Sequence, residues 1–190
     1  MKTLFSLKTL SQYFIIISLL ATNHLLFAQA TQAEAEQILT QQKAIQALLP
    51  SCNSNSVEIW DESTEGGDAM AYYTEDGLKM IAVTWRYEAG KQLVEYYFDQ
   101  GKLFFVFTKD FIYNRPVYWD KKQARLAKDG ETFNPSQTKT EENRYYFKNQ
   151  KLFLWTNNEQ KVVKADITTN LTKGQALVDH AMSVKEKFKK

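Results

Sequence analysis

The chain is short of most of the residues from which catalytic and metal centres are built. Cys52 is the one cysteine among 190 residues, so no intrachain disulfide forms and no multi-thiolate metal site exists. It reads as a quiet thiol at a helix-to-strand junction. Histidine occurs twice, at His24 and His180. There is no HExxH pair, no phosphate-cradling glycine loop, and no serine or cysteine nucleophile with a recognisable base partner. Nothing calls for a cofactor. No assembled acid–base set is visible, so the composition points away from an enzyme. Proline is also scarce, at three residues, which leaves long stretches free to form uninterrupted elements.

Charge of one sign is missing as well. There are 24 basic and 22 acidic residues, a formal net charge of +2. Two of the basic residues, Lys2 and Lys8, fall in the opening segment, and without them the count is even. Such a surface has no global field for nucleic acid or an anionic bilayer. A long hydrophobic run is absent too. The apolar stretch Phe14–Leu20 is well below the roughly 20 residues that a spanning helix needs. With its lysines and the closing Ala28-Gln29-Ala30, the segment 1–30 predicts a secretory signal peptide cleaved after Ala30. The expectation is export to a periplasmic or extracellular compartment, with no membrane insertion after cleavage.

What the chain does have is aromatic residues: 12 Phe, 10 Tyr and 4 Trp. The remaining residues, 31–190, predict a single α+β domain. Ile38, Leu39, Ile45, Leu48 and Leu49 recur at helical spacing over 31–49, and Pro50 stops the run. An antiparallel sheet is expected over 57–166, from runs of aromatic and β-branched residues separated by short turns such as TEDG, EAGK and DQGK. Its predicted strands end with Lys161–Asp166. Residues 121–142 are polar and read as an excursion loop. A closing helix over 173–189 carries the seam Leu177, Ala181, Val184 and Phe188. Both helices are expected on one face of a long curved meander.

The sheet segment repeats itself. EYYFDQGKLFFV at Glu95–Val106 returns as RYYFKNQKLFLW at Arg144–Trp155, identical at six of twelve positions. The variable centre reads as a hairpin turn, with Gly101 or Asn149 taking the positive φ that such a turn needs. AYYTEDGLKMIA at Ala71–Ala82 extends the series, and VYWDKKQARLAK at Val117–Lys128 reads as a degraded fourth copy. The unit resembles MORN-type repeats, short aromatic- and glycine-containing hairpins that stack into a sheet, although the second glycine of that motif is missing. The resemblance implies hairpin design and carries no activity.

Two places are candidates for function. In DFIYNRPVYWD, Pro116 predicts a strand end, and Tyr113, Arg115, Tyr118 and Trp119 are the residue types that anchor interfaces. This corner, together with an aromatic sheet face, predicts an exported non-catalytic binding domain for a protein or glycan partner. An assembly protein pairing through its sheet edges is the second reading, and a carboxylate-dependent hydrolase the third. DESTEGGD also gathers Asp61, Glu65 and Asp68, oxygen donors of the kind a hard cation takes. Their spacing does not match the EF-hand loop, and a solvated acidic connection between strands is the commoner arrangement, so no metal is assigned. Partner identity and oligomeric state are not written in the sequence.

Overall fold

The computed structural model describes residues 31–60 and 63–189. The expected signal segment, with Asp61 and Glu62, lies outside the described residues. The chain divides at Thr40/Gln41 into two compact units. In the first, residues 31–40 are helical, and Thr40 Oγ1 donates to the Glu36 carbonyl at 2.9 Å. Residues 41–48 are also helical, completing the helix α1 (31–48), and a 3-10 turn at Leu49–Ser51 follows. Cys52 lies at the junction between that turn and the sheet.

The second unit is built on one antiparallel sheet of seven strands in sequence order: β1 (Asn53–Ile59), β2 (Gly67–Thr74), β3 (Gly77–Tyr87), β4 (Gly90–Asp99), β5 (Lys102–Ile112), β6 (Lys139–Lys148) and β7 (Lys151–Thr156). A short helix α2 (Lys121–Ala127) precedes β6, and α3 (Ile167–Glu186) closes the chain. The expected meander between two helices is therefore the fold. Several boundaries differ. The polar NSNS belongs to β1, because an edge strand is specified by its ladder with β2, Asn53 opposite Tyr73, and needs few apolar side chains. β6 starts at Lys139, inside the expected loop, since β5 extends far enough to pair Ile112 with Lys139. Lys161–Asp166 is not a strand and makes only the bridge Thr156↔Val162. VYWDKKQARLAK is not a hairpin. Asp120 accepts from the N–H groups of Lys122 and Gln123, and this cap turns the segment into α2.

The doubled Tyr-Tyr of the repeat acquires a meaning in the register. Because side chains alternate, the first tyrosine of each pair joins one face and the second joins the other. Ala71, Ile81, Tyr96, Val106, Tyr145 and Trp155 form one cross-strand row. Tyr72, Met80, Tyr97, Phe105, Tyr146 and Leu154 form the next row, on the opposite face. A bulge recurs at the same place in three hairpins, between Tyr72 and Tyr73, Tyr97 and Phe98, and Tyr146 and Phe147. This aligns Tyr72-Tyr73 with Tyr97-Phe98, so AYYTEDGLKMIA is one residue out of step with the alignment that its tyrosines suggest.

Within the second unit, the helical residues 41–48 and α3 lie on opposite faces of the sheet, contrary to the expectation of one. Leu177, Val178, Ala181 and Val184 of α3 enter a core with Ile81, Val83, Trp85, Tyr96, Phe98 and Tyr145. α3 begins at Ile167, earlier than 173, because the Asp166 carboxylate caps it by accepting from Thr169 N–H at 2.8 Å. That cap holds the Asp166 carboxyl below its usual range, chiefly through the Thr169 hydroxyl. On the other face, Gln42 and Gln46 of α1 donate to the Tyr97 hydroxyl at 3.1 and 3.0 Å, and Ile45 between them is buried. Tyr97, Phe105 and Tyr146 are ring partners there, with centroids 5.7 and 5.2 Å apart. A sheet apolar on both faces needs cover on both, which one-sided packing cannot supply.

Candidate functional site

Register carries four polar side chains onto the α3 face of the sheet, where a core would place apolar ones. Gln92 on β4 lies opposite Asp110 on β5, and Thr108 on β5 opposite Asn143 on β6. They border the apolar row at its β3–β4 turn end. α3 meets that row at Tyr96 and Tyr145, through His180 and Lys173. The result is a cleft of about 470 Å³. Val94, Tyr96, Tyr145 and Trp155 contribute its aromatic and apolar floor. Lys173, Ala176, Leu177 and His180 form the helical wall, spaced so that all four share one side of α3.

Within the cleft several polar groups are oriented by neighbours. Gln92 Nε2 donates to Asp110 Oδ1 at 2.7 Å, and Trp155 Nε1 donates to Asn143 Oδ1 at 2.8 Å. The Tyr96 hydroxyl is hydrogen-bonded to His180 Nδ1. The His180 ring also packs 5.5 Å from Tyr96 and 6.1 Å from Trp85, centroid to centroid. Burial pushes the Tyr145 hydroxyl up to about 12, with the Asp110 charge adding to the rise and a Thr108 hydrogen bond opposing it. Tyr145 is thus a neutral phenol at physiological pH. Lys173 Nζ stands 5.6 Å from the centre of its ring. Among the described residues, neither Asp110 nor Lys173 forms an ion pair.

The residues singled out in the sequence fall elsewhere, and the structure brings the four aromatic and arginine positions into one corner after β5. Tyr113 packs edge-on against Phe133, centroids 5.4 Å apart. Arg115 pairs with Asp129 and, at 3.4 Å, with Glu131, and its guanidinium lies 5.7 Å from the Trp119 ring. Tyr118 is 56% exposed and donates to Glu88, a bond that raises its hydroxyl above the usual tyrosine range. Asn114 ties the corner down, donating to the Thr132 carbonyl and accepting from Asn134 N–H. The arginine charge is met within the chain, and Val117 and Tyr118 are the side chains left facing outward.

Of the acidic group, Asp61 is outside the described residues, Asp68 is paired with Arg86, and Glu65 is an exposed turn residue. Among the described residues no three His, Cys, Asp or Glu side chains gather as a metal site. No described helix is long and apolar enough to cross a membrane.

The sequence by itself does not point to the cleft. It gives His180 no role, and Asp110 enters it only as the first residue of the corner segment. A signal was present, in that Gln92, Thr108, Asp110 and Asn143 occupy the inward phase of three neighbouring strands. It becomes visible only once the register is known. Comparison with protein-family models, with curated proteins and with solved structures finds no match to this chain.

Proposed function

We propose that the protein is an exported, non-catalytic binding domain that recognises a protein or glycan partner through the aromatic sheet face beside α3. The observation that carries the reading is the cleft itself. Polar side chains stand at core-phase positions over an aromatic floor and are oriented by hydrogen bonds to one another and to Trp155, the combination of fixed polar groups and aromatic surface that ligand sites use. Its lining holds no serine or cysteine, and Asp110 and His180 are engaged by Gln92 and Tyr96, which favours binding over turnover. Export rests on the pattern of residues 1–30.

A second reading, pairing through a sheet edge, is favoured by β1. Its outer edge carries Asn53-Ser54-Asn55-Ser56 with no lysine or proline to discourage a further strand, whereas β7 is followed by the Thr156↔Val162 bridge.

The four tryptophans separate these readings, because each reports a different place. Trp155 lines the cleft, Trp119 lies in the corner, Trp85 is in the core and Trp60 follows β1. Indole N–H resonances of ¹⁵N-labelled protein, assigned by single Trp→Phe variants, are followed while oligosaccharides, peptides and envelope extracts are added. Movement of Trp155 supports the cleft. A change confined to Trp119 transfers recognition to the corner, and one confined to Trp60 favours the β1 edge.

A further inference from the structure

Resting on the cleft reading, we infer that the ligand is a neutral saccharide held by side chains alone. Its hydroxyls meet Asn143 and the Gln92–Asp110 pair, and a ring face covers Trp155. The first observation is what the backbone withholds. β4 and β5 are interior strands with a neighbour on each side, so their main-chain groups are spent in the sheet. β6 runs past the end of β7, whose ladder stops at Arg144↔Thr156. The edge left there is closed by one side chain. Asn158 Nδ2 donates to the Thr140 carbonyl at 3.0 Å, and Asn158 Oδ1 accepts from Glu142 N–H. A peptide that joins a sheet is held chiefly through its main chain, as an added strand. The strands beneath this cleft offer it no edge.

The second observation is how the polar side chains are used. The aromatic residues have their heteroatoms engaged within the chain: Trp155 Nε1 with Asn143, the Tyr96 hydroxyl with His180, and the Tyr145 hydroxyl with Thr108. They therefore offer a ligand their rings. Tyr96 and Tyr145 are almost wholly buried, and Trp155 is the one that keeps part of its surface open. The amides and the carboxylate are only half engaged. Asn143 uses Oδ1 and retains two Nδ2 donors. Gln92 uses Nε2 and retains Oε1, while Asp110 uses Oδ1 and retains Oδ2. Among the described residues, no protein group bonds these remaining atoms.

Donors and acceptors thus share the lining, in planar groups already oriented by a neighbour. A hydroxyl both donates and accepts, so a set of adjacent hydroxyls satisfies the mixture. A carboxylate or an ammonium group would satisfy one half of it. The C–H face of the same sugar ring suits the apolar face of an indole. Charge points the same way. Lys173 is exposed to water, Tyr145 is a neutral phenol, and the Asp110 carboxylate already has the Gln92 amide, so no lining group calls for an ion. The volume of about 470 Å³ is within the range of about 300–1,000 Å³ usual for small-molecule sites.

The test titrates purified protein with maltotriose, cellotriose, triacetylchitotriose and the tripeptide Ala-Phe-Ala, following the Trp155 indole and Asn143 side-chain amide resonances. At least one saccharide is expected to move both, with an affinity independent of ionic strength. Asn143→Asp keeps an acceptor for Trp155 and exchanges the two donors for an oxygen. It should weaken that saccharide about tenfold, while unchanged Trp85 and Trp119 resonances establish that the fold is intact. An affinity equal to wild type in this variant, or one that falls steeply with salt, overturns the inference. So does movement of Trp155 by Ala-Phe-Ala and by none of the saccharides, which would leave the cleft reading standing. If no saccharide moves Trp155 at millimolar concentration, the saccharide falls, and the wider panel decides the cleft. A saccharide that moves Trp119 or Trp60 and leaves Trp155 in place brings down both inferences together.

Discussion

Gln100, Asn149 and Gln150 all carry positive φ, at 46°, 51° and 60°, in the two matching hairpin turns. In the first turn Gly101 takes φ 76° beside Gln100, whereas Gln150 occupies the equivalent position with a side chain. A left-handed conformation costs an L-residue about 1–2 kcal/mol, part of which glycine gives back in unfolded-state entropy. Gln150→Gly is therefore expected to stabilise the protein by about 0.5–1 kcal/mol, read as a higher denaturant midpoint at unchanged slope. Glu95 makes a second case at this scale. Its carboxylate accepts from the Tyr97 hydroxyl at 2.6 Å, yet burial dominates and raises its pKa. A raised folded pKa favours folding with Glu95 protonated. That stability is fully present below the unfolded carboxylate pKa and is lost as pH rises through the folded value. Glu95→Gln keeps an acceptor for Tyr97 and removes the charge. The variant should exceed wild type in urea stability at pH 7, and the gain should vanish near pH 4, where an unfolded glutamate begins to take up its proton. A gain that persists at pH 4 would place its origin outside the ionisation of Glu95.

Among the elements, α3 meets the sheet at close quarters at Gly174. A Cβ there would lie 2.7 Å from Leu152 Cβ, closer than real atoms come, and Leu152 is anchored in β7 opposite Phe147. Alanine is a better helix former than glycine by about 1 kcal/mol, but the clash opposes it at the stiff base of a side chain. Gly174→Ala should therefore lower stability by about 1–3 kcal/mol, with the near-ultraviolet signal of the Tyr145–Trp155 pair reporting the displacement. The ring centroids of that pair are 5.3 Å apart. The same displacement would move Lys173, so cleft binding should weaken in parallel. An alanine variant as stable as wild type would show that β7 yields freely.

At the scale of the second unit, the sheet is a ladder in which only the inner strands have partners on both sides. β3, β4 and β5 hold most of the large side chains fully removed from solvent, among them Ile81, Val83, Tyr96, Tyr97, Phe105 and Val106. The central strands are also the ones covered on both faces. Native-state hydrogen exchange should therefore find the slowest amides in β4 and β5, opening with the global unfolding free energy. β1 should be fastest, with the amides of its outward edge exchanging by local fraying. Uniform protection across β1 would indicate that its edge is covered in solution, which the strand-pairing reading requires.

The meander was legible because its information is local: period-two alternation, short turns of Gly, Asp and Asn, and the duplicated Tyr-Tyr-Phe and Lys-Leu-Phe blocks each act within a dozen residues. The seam of α3 was legible for the same reason, since Leu177, Ala181 and Val184 recur at helical spacing and are buried as expected. The bulge at Tyr97/Phe98 and the assignment of each helix to a face were not, because both depend on which side chains meet across strands. Position 180 shows the limit most directly. A lone histidine beside an apolar seam has the same sequence context whether it faces water or a cleft. Its hydrogen bond to Tyr96, 84 residues away, exists only after α3 has folded back over β4. Local patterning thus determined the elements and their order. Long-range register and packing determined which charged groups share a cavity, because residues far apart in the chain have no means of sensing one another until the sheet is formed.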